Sequence, residues 1–271
     1  MTTTSIDQDT ALIDWMNETK LTGAINTDRS SNIGHLRLLA DRHPGYTFGV
    51  AIDESWDERA LLELMFSKAG ISADATFEQG QDHIDARRTV KELAAYGRRL
   101  GEAVERQELI LFATAHPAGL SGVYATLASA VRQAGGRVCE IAEHLERGTT
   151  LMIEGMDDGE VWQISSVCMR YFGGSLLHTH SPQFAELLLS KLAERGTVPD
   201  LVVADHGWAG AAGARGIATI GIADSNDPAL FVAQAQGSVE VCVPMDDNLL
   251  AYAYEPVIDY ILAHAGIPRG A

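Results

Sequence analysis

Short apolar runs alternating with helical stretches place this sequence in the α/β class: a largely parallel sheet covered by helices on both faces, a Rossmann-like three-layer arrangement with helical additions at the N-terminus. Three observations carry that reading. Apolar runs recur at 109–114, 201–204, 217–222 and 239–243. Stretches of helical periodicity, about 10 to 15 residues each, separate strand-like runs of this kind. The runs are apolar throughout rather than alternating, as strands buried on both faces are. They are expected to lie side by side as parallel strands.

The elements follow in chain order. Residues 1–10 are polar and expected to fray, and "ALIDWMNETKL" and "NIGHLRLLADRH" then carry apolar side chains at helical spacing. "YTFGVAI" (46–52) reads as a strand. "SWDERALLELMFSKAG" reads as a helix capped by Ser55, with Glu58 three residues on and Gly70 at its end. A long helix is expected from about Asp85 to Glu105, and another ends at Gln133 after "AHPAGLSG". "RVCEIA" is a further strand. Residues 149–175, with "TTLMIEG" and "EVWQISSVCMRYF", read as a small antiparallel insertion. A helix runs to Arg195, and "DDNLLAYAYEPVIDYILAHAG" closes the chain as a helix bent at Pro256.

Length and composition bound the function. The 271 residues suit one α/β domain, 1–271, and 46% hydrophobic content supports a sizeable core. Net charge is −17, and no Lys/Arg run reaches three residues, which argues against a nucleic-acid partner. Such acidity disfavours anionic ligands unless a metal, backbone N–H groups or placed arginines hold them. The three cysteines show no CxxC spacing, and Cys139 and Cys242 read as buried thiols of a reducing compartment. There is neither a signal peptide nor an apolar run near membrane length, so a cytoplasmic protein without a membrane partner is expected. Homo-oligomerisation is left open.

Polar side chains gather where apolar runs end. His116 follows "LILFATA", His178 and His180 follow "SLL", and Asp205 with His206 follows "LVVA". Asp224, Asn226 and Asp227 follow "TIGIA", and Asp246 with Asp247 follows "VCVPM". Asp and Asn are common helix caps. Histidine is not, and four histidines on three strand ends point to one crevice at the carboxyl end of a parallel sheet. His178-Thr179-His180 puts two imidazoles on one side of an extended strand, a spacing that can chelate a metal. In Gly207-Trp208-Ala209-Gly210, small residues after a strand suit either close packing or backbone N–H groups offered to an oxyanion at a helix N-terminus. No Walker A, G-x-G-x-x-G, G-x-S-x-G or H-E-x-x-H pattern occurs.

The segments "LFATAHPAGLSG", "LLHTHSP", "LVVADHGWAGAAGARGIATIGIADSNDPALF", "VCVPMDDN" and "DRSSNIGHLRLLADRHPGYTFGV" resemble a family of actinobacterial proteins known simply as phosphatases. The resemblance spans nearly the whole chain and is strongest over 199–248. In that family a Gly often stands where Ala115 lies and a Cys where Ser225 lies, both small replacements. The resemblance implies hydrolysis of a phosphate ester with a divalent cation.

Residue chemistry supplies the roles. Asp205, Asp224 and Asp227 are the candidate metal ligands, with Asp205 and Asp224 alternatively a base for water; His116 and His206 are candidates to donate to a phosphoryl oxygen or to the leaving oxygen. Backbone N–H groups of Gly207, Trp208 and Gly210 would hold phosphate, with His178, His180, Asn226 and Asp246 at the rim. Mg2+ or Mn2+ is expected ahead of Zn2+. "DSNDP" lacks the second Asp of a D-x-D-x-T phosphatase, which favours water attack over an aspartyl phosphate. The alternatives are a sugar-phosphate or nucleotide-binding regulatory module without turnover, and an isomerase or lyase acting on a phosphorylated sugar.

Overall fold

Among the described residues nine strands form one sheet, in the order β3 (Met152–Ile153), β4 (Gly159–Ile164), β5 (Val167–Phe172), β1 (Leu109–Ala113), β7 (Leu201–Asp205), β8 (Ala218–Ala223) and β9 (Val241–Pro244), with β2 (Arg137–Val138) beside β1 and β6 (Ser175–Leu176) beside β5. The computed structural model describes residues 3–146, 150–155 and 157–269, with side chains from residue 8. The central strands are β1 (Leu109–Ala113), β7 (Leu201–Asp205), β8 (Ala218–Ala223) and β9 (Val241–Pro244), all mutually parallel. They are the four apolar runs of the sequence, in adjacent places. One edge of β1 pairs first with β2 (Arg137–Val138) and then with β5 (Val167–Phe172).

Alternate strand side chains go to opposite faces, which is why the runs must be apolar throughout. Ile110, Phe112, Leu201 and Val203 join one core with α1 (Thr3–Glu18), α4 (Ala86–Glu105), α5 (Ser121–Gln133) and α10 (Glu255–Ala265). Leu109, Leu111, Val202 and Ala204 join the other. That second core is covered by α2 (Arg29–Ala40), α3 (Glu58–Lys68), α7 (Gln183–Glu194), α8 (His206–Ala214) and α9 (Pro228–Gln236). Each fully buried Leu, Ile, Val or Phe contributes about 1.5–3 kcal/mol relative to exposure.

The connections decide where a ligand goes. From β1 the chain passes through α5 to β2 on one side. It returns after α7 to β7 on the other side, then steps outward to β8 and β9. Strand order therefore reverses between β1 and β7, and a crevice opens at their carboxyl ends.

Several sequence expectations change. Residues 46–52 form turns, not a strand, because Phe48 and Gly49 take φ of +54° and +81°, which no strand permits. Asp57, not Ser55, caps α3, accepting from the Ala60 amide at 2.8 Å. α1 is helical from Thr3, where fraying is expected, and Asp9 accepts the Tyr260 hydroxyl at 2.7 Å. Residues 1–2 lie outside the described residues. The antiparallel segment is present as β3 (Met152–Ile153), β4 (Gly159–Ile164), β5 and β6 (Ser175–Leu176), but it extends the main sheet instead of standing apart. Thr149 lies outside the described residues. The closing segment is a 3-10 turn (Ala251–Tyr254) followed by α10, with Pro256 in the first turn of α10, where its missing N–H costs nothing. The three cysteines are buried thiols. Among the described residues no helix is long and apolar enough to cross a membrane.

Candidate active site

The ends of β1, β7, β8 and β9 enclose a cleft of about 400 Å³. Its walls include His116, His178, His180, His206, Asp224 and Asp227. Asn226 and Asp246 also line it, as do Asn26, Thr27, Asp247 and Asn248. Neither lysine nor arginine is among the lining residues.

His206 stands at the centre. It opens α8 with φ of +44°, a left-handed conformation that a non-glycine residue adopts only when its surroundings impose it. Its Nδ1 lies 3.0 Å from Oδ1 of Asp205, and its Nε2 lies 3.1 Å from Oδ2 of Asp227. Burial opposes a charge on this imidazole, but Asp227, Asp205 and Asp247 outweigh it and hold the pKa well above the ordinary histidine value. Asp227 is the N-cap residue of α9 yet makes no cap hydrogen bond; its carboxylate is turned to His206. Burial raises the Asp227 pKa, but the His206 charge prevails and keeps it well below the usual carboxylate range.

Neighbouring imidazoles are fixed in one tautomer. Nδ1 of His178 lies 3.0 Å from the Ala115 carbonyl, and Nδ1 of His180 lies 3.0 Å from the Gly45 carbonyl. Carbonyl oxygen only accepts, so both Nδ1 atoms carry the proton and both Nε2 atoms keep a lone pair. His35, on α2, is fixed the same way by the Asn226 carbonyl at 2.7 Å. Burial and the His206 charge push His180 down to about 4, and with His178 they push His116 to about 4, so both are neutral at neutral pH. Metal-binding histidines typically show this arrangement, with the second ring nitrogen donated to an oxygen.

Among the described residues, three groups of side chains bring potential ligand atoms within 4.8 Å of one another: His116, His178 and His206; His180, His206 and Asp227; and Asp224, Asp246 and Asp247. The two histidines of His178-Thr179-His180 therefore reach different groups, and they sit in a loop after β6, not in a strand. Asp224 receives the Thr27 hydroxyl and the Ser225 amide, and burial beside Asp246 raises its pKa to about 7. Asn226 lines the same wall while its amide donates to Ser31.

Four expected site residues take other places. Asp205 is fully buried behind the cleft: Oδ1 accepts from the Ala115 amide at 2.8 Å and faces His206 Nδ1, and Asp205 belongs to none of the three groups. Gly207, Trp208 and Gly210 do not line the cleft. A Cβ on Gly207 would lie 2.5 Å from the Ser181 carbonyl oxygen, and one on Gly210 would lie 2.0 Å from that of Phe48. These glycines let α8 lie directly on two backbone segments, the packing alternative of the sequence reading. Trp208 is buried beside Phe184.

Sequence reasoning passed over His35, which looks like any polar position on an amphipathic helix, and Asn26, Thr27 and Asn248, which lie in loops. Asp247 stood among the strand-end residues but was not singled out; an Asp-Asp pair after a strand reads equally as a turn.

Comparison with known proteins adds two findings. A family model described as Phosphatase matches residues 7–269. The chain is 39% identical over 252 residues to a protein named Phosphatase SCO2771 from Streptomyces coelicolor, covering 92% of this chain and 93% of that protein.

Proposed function

This chain belongs to the phosphatase family, and from that premise we propose that it hydrolyses a small phosphate monoester in the cleft at the β1/β7 reversal, with a divalent cation held by the histidine-centred groups. One observation carries the cation: His178, His180 and His206 each give Nδ1–H to an oxygen, leaving Nε2 as the ligating atom, with the Asp227 carboxylate 3.1 Å from His206 Nε2. His206, His180 and Asp227 would hold it, with His178 beside them. Imidazole donors suit Mn2+ or Zn2+ better than Mg2+, which shifts the expected order of metals. When bound, the cation neutralises phosphoryl charge and activates a water.

The protein's own groups do the rest. To offer Nε2 as a ligand, His206 would release to solvent the proton it shares with Asp227. His116, neutral at the mouth, donates its N–H to a phosphoryl oxygen, and the Asn226 wall supplies further polar contacts. Since no lysine or arginine lines the cleft, the anionic substrate depends on the cation for charge.

A panel of phosphate monoesters assayed for released phosphate with Mn2+, Zn2+ or Mg2+ tests this reading. Turnover that a chelator abolishes and Mn2+ or Zn2+ restores is expected. Tight binding of a phosphorylated compound without release would replace the hydrolase with a regulatory module, and conversion without release would replace it with an isomerase or lyase.

A further inference from the structure

We infer that the cleft holds a pair of cations: besides the histidine-centred position, an all-oxygen position formed by Asp224, Asp246 and Asp247, with Asp247 spanning the two. The inference rests on the reading of the cleft as a cation-dependent phosphatase site and adds to it a second, chemically different position.

Asp224 follows β8 as Asp246 and Asp247 follow β9, so adjacent parallel strands deliver three carboxylates to one point. One oxygen from each lies within 4.8 Å of the others, and the three residues are only 4%, 4% and 3% exposed. Like charges at that spacing and burial repel unless something positive lies among them. Among the described residues no arginine or lysine lines the cleft, and the charge of His206 is already shared by Asp205 and Asp227.

An independent observation concerns one of the same carboxylates. Oδ2 of Asp247 is buried and accepts no hydrogen bond. Buried carboxylate oxygens are rarely left so, and an orphan among other carboxylates is what a cation ligand looks like without its cation. Asp224 and Asp246 each have one oxygen held by a backbone amide, Ser225 at 2.5 Å and Asn248 at 2.9 Å, which fixes the carboxylates while leaving ligating capacity.

Asp247 also touches the first position. Its Oδ1 is 3.6 Å from His116 Nε2 and its Oδ2 is 3.8 Å from His206 Nε2. A carboxylate belonging to the acidic trio and lying 3.8 Å from His206, a ligand at the other position, is placed to bridge paired cations, which in two-metal phosphoryl-transfer sites stand about 3.5–4 Å apart. The donors differ: oxygen-only ligands suit Mg2+ or Mn2+, imidazoles suit Mn2+ or Zn2+. Mn2+ is common to both.

Mn2+ titration of chelator-stripped protein, followed by calorimetry and by electron paramagnetic resonance, tests the pair. The wild type should take two equivalents and show the signal of two coupled Mn2+ ions. Asp246→Asn, whose side-chain oxygen still accepts from Asn248, should take one equivalent and lose the coupling. His180→Ala should also take one. Should Asp246→Asn fail to melt cooperatively, Asp224→Asn is read in its place with the same expectation. A single equivalent in the wild type overturns the inference and leaves three protonated or repelling carboxylates; two equivalents retained in a folded Asp246→Asn variant also overturn it, since the second ion then lies elsewhere. Phosphate release separates the two readings: two coupled ions without hydrolysis of any monoester sinks the phosphatase reading alone, and chelator-sensitive hydrolysis with one ion sinks the pair alone.

Discussion

Oδ1 of Asp205 sits 3.0 Å from Nδ1 of His206 and 2.8 Å from the amide nitrogen of Ala115, so one buried oxygen ties the end of β7 to the end of β1. The Ala115 carbonyl in turn receives Nδ1–H of His178. Asp205 thus orients two imidazoles of the cleft without lining it. Asp205→Asn keeps an acceptor at Oδ1 but removes the charge that makes His206 Nε2 a strong donor to a cation. Apparent cation affinity and kcat/KM should both fall by about 10–100-fold, the usual effect of losing the carboxylate behind a metal-binding histidine. A merely structural Asp205 would lower the melting temperature and leave cation affinity unchanged. Calorimetric titration of the variant beside the wild type decides between the two.

Close backbone contact at Gly207 gives a second expectation. The Ser181 and His180 carbonyl oxygens would lie 2.5 and 2.6 Å from a Cβ there, and both belong to the loop that carries His178 and His180. Backbone on both sides cannot rotate away as a side chain can. Gly207→Ala should therefore cost about 1–3 kcal/mol and push His180 from its place, weakening cation binding as well. Gly34→Ala is the control. Nothing lies within 4 Å of its Cβ, it sits inside α2, and alanine there should stabilise by about 0.5–1 kcal/mol. Urea unfolding of the two variants gives opposite signs; a stable Gly207→Ala would show that the contact relaxes.

What could be read from the sequence follows from these contacts. Runs apolar on both faces have few places to go but a doubly covered sheet, so β1, β7, β8 and β9 were legible, and their polar ends came with them. Which side of a strand end a carboxylate points to is not a local property. Asp205 and His206 are adjacent, yet the positive φ of His206 sends one side chain behind the sheet end and the other into the cleft. His35 reaches the site only because α2 docks beside α9, a contact nearly two hundred residues apart in sequence. The strand expected at 46–52 failed for a similar reason. Phe48 and Val50 are buried, as in a strand, but Phe48 packs against the rings of His180 and His206, each 5.0 Å away, which needs a turn.

The last expectation concerns acid stability and the anchoring of α2. Arg29 Nη1 lies 2.8 Å from Asp82 Oδ2, and both side chains are fully buried. Burial raises the Asp82 pKa, but the Ser72 amide, Arg29 and Asn32 outweigh it and hold the carboxyl below its usual value. The network continues from Asn32, which accepts the hydroxyl of Ser225 at 2.9 Å, to the residue beside Asp224. A carboxyl depressed in the folded state stabilises fully above its unfolded pKa, about 4, and loses that contribution as pH falls through the folded value. Asp82→Asn leaves the Arg29 charge buried without its partner, so at neutral pH it should cost about 3–5 kcal/mol. As pH falls below about 4 the wild type begins to lose this contribution by protonation, so the gap should narrow. Urea midpoints for both proteins at neutral pH, pH 5 and pH 3.5 supply the test. A gap that stays constant over this range would mean that Asp82 stabilises by packing and neutral hydrogen bonds, and that α2, with His35, is held beside the cleft without help from the ion pair.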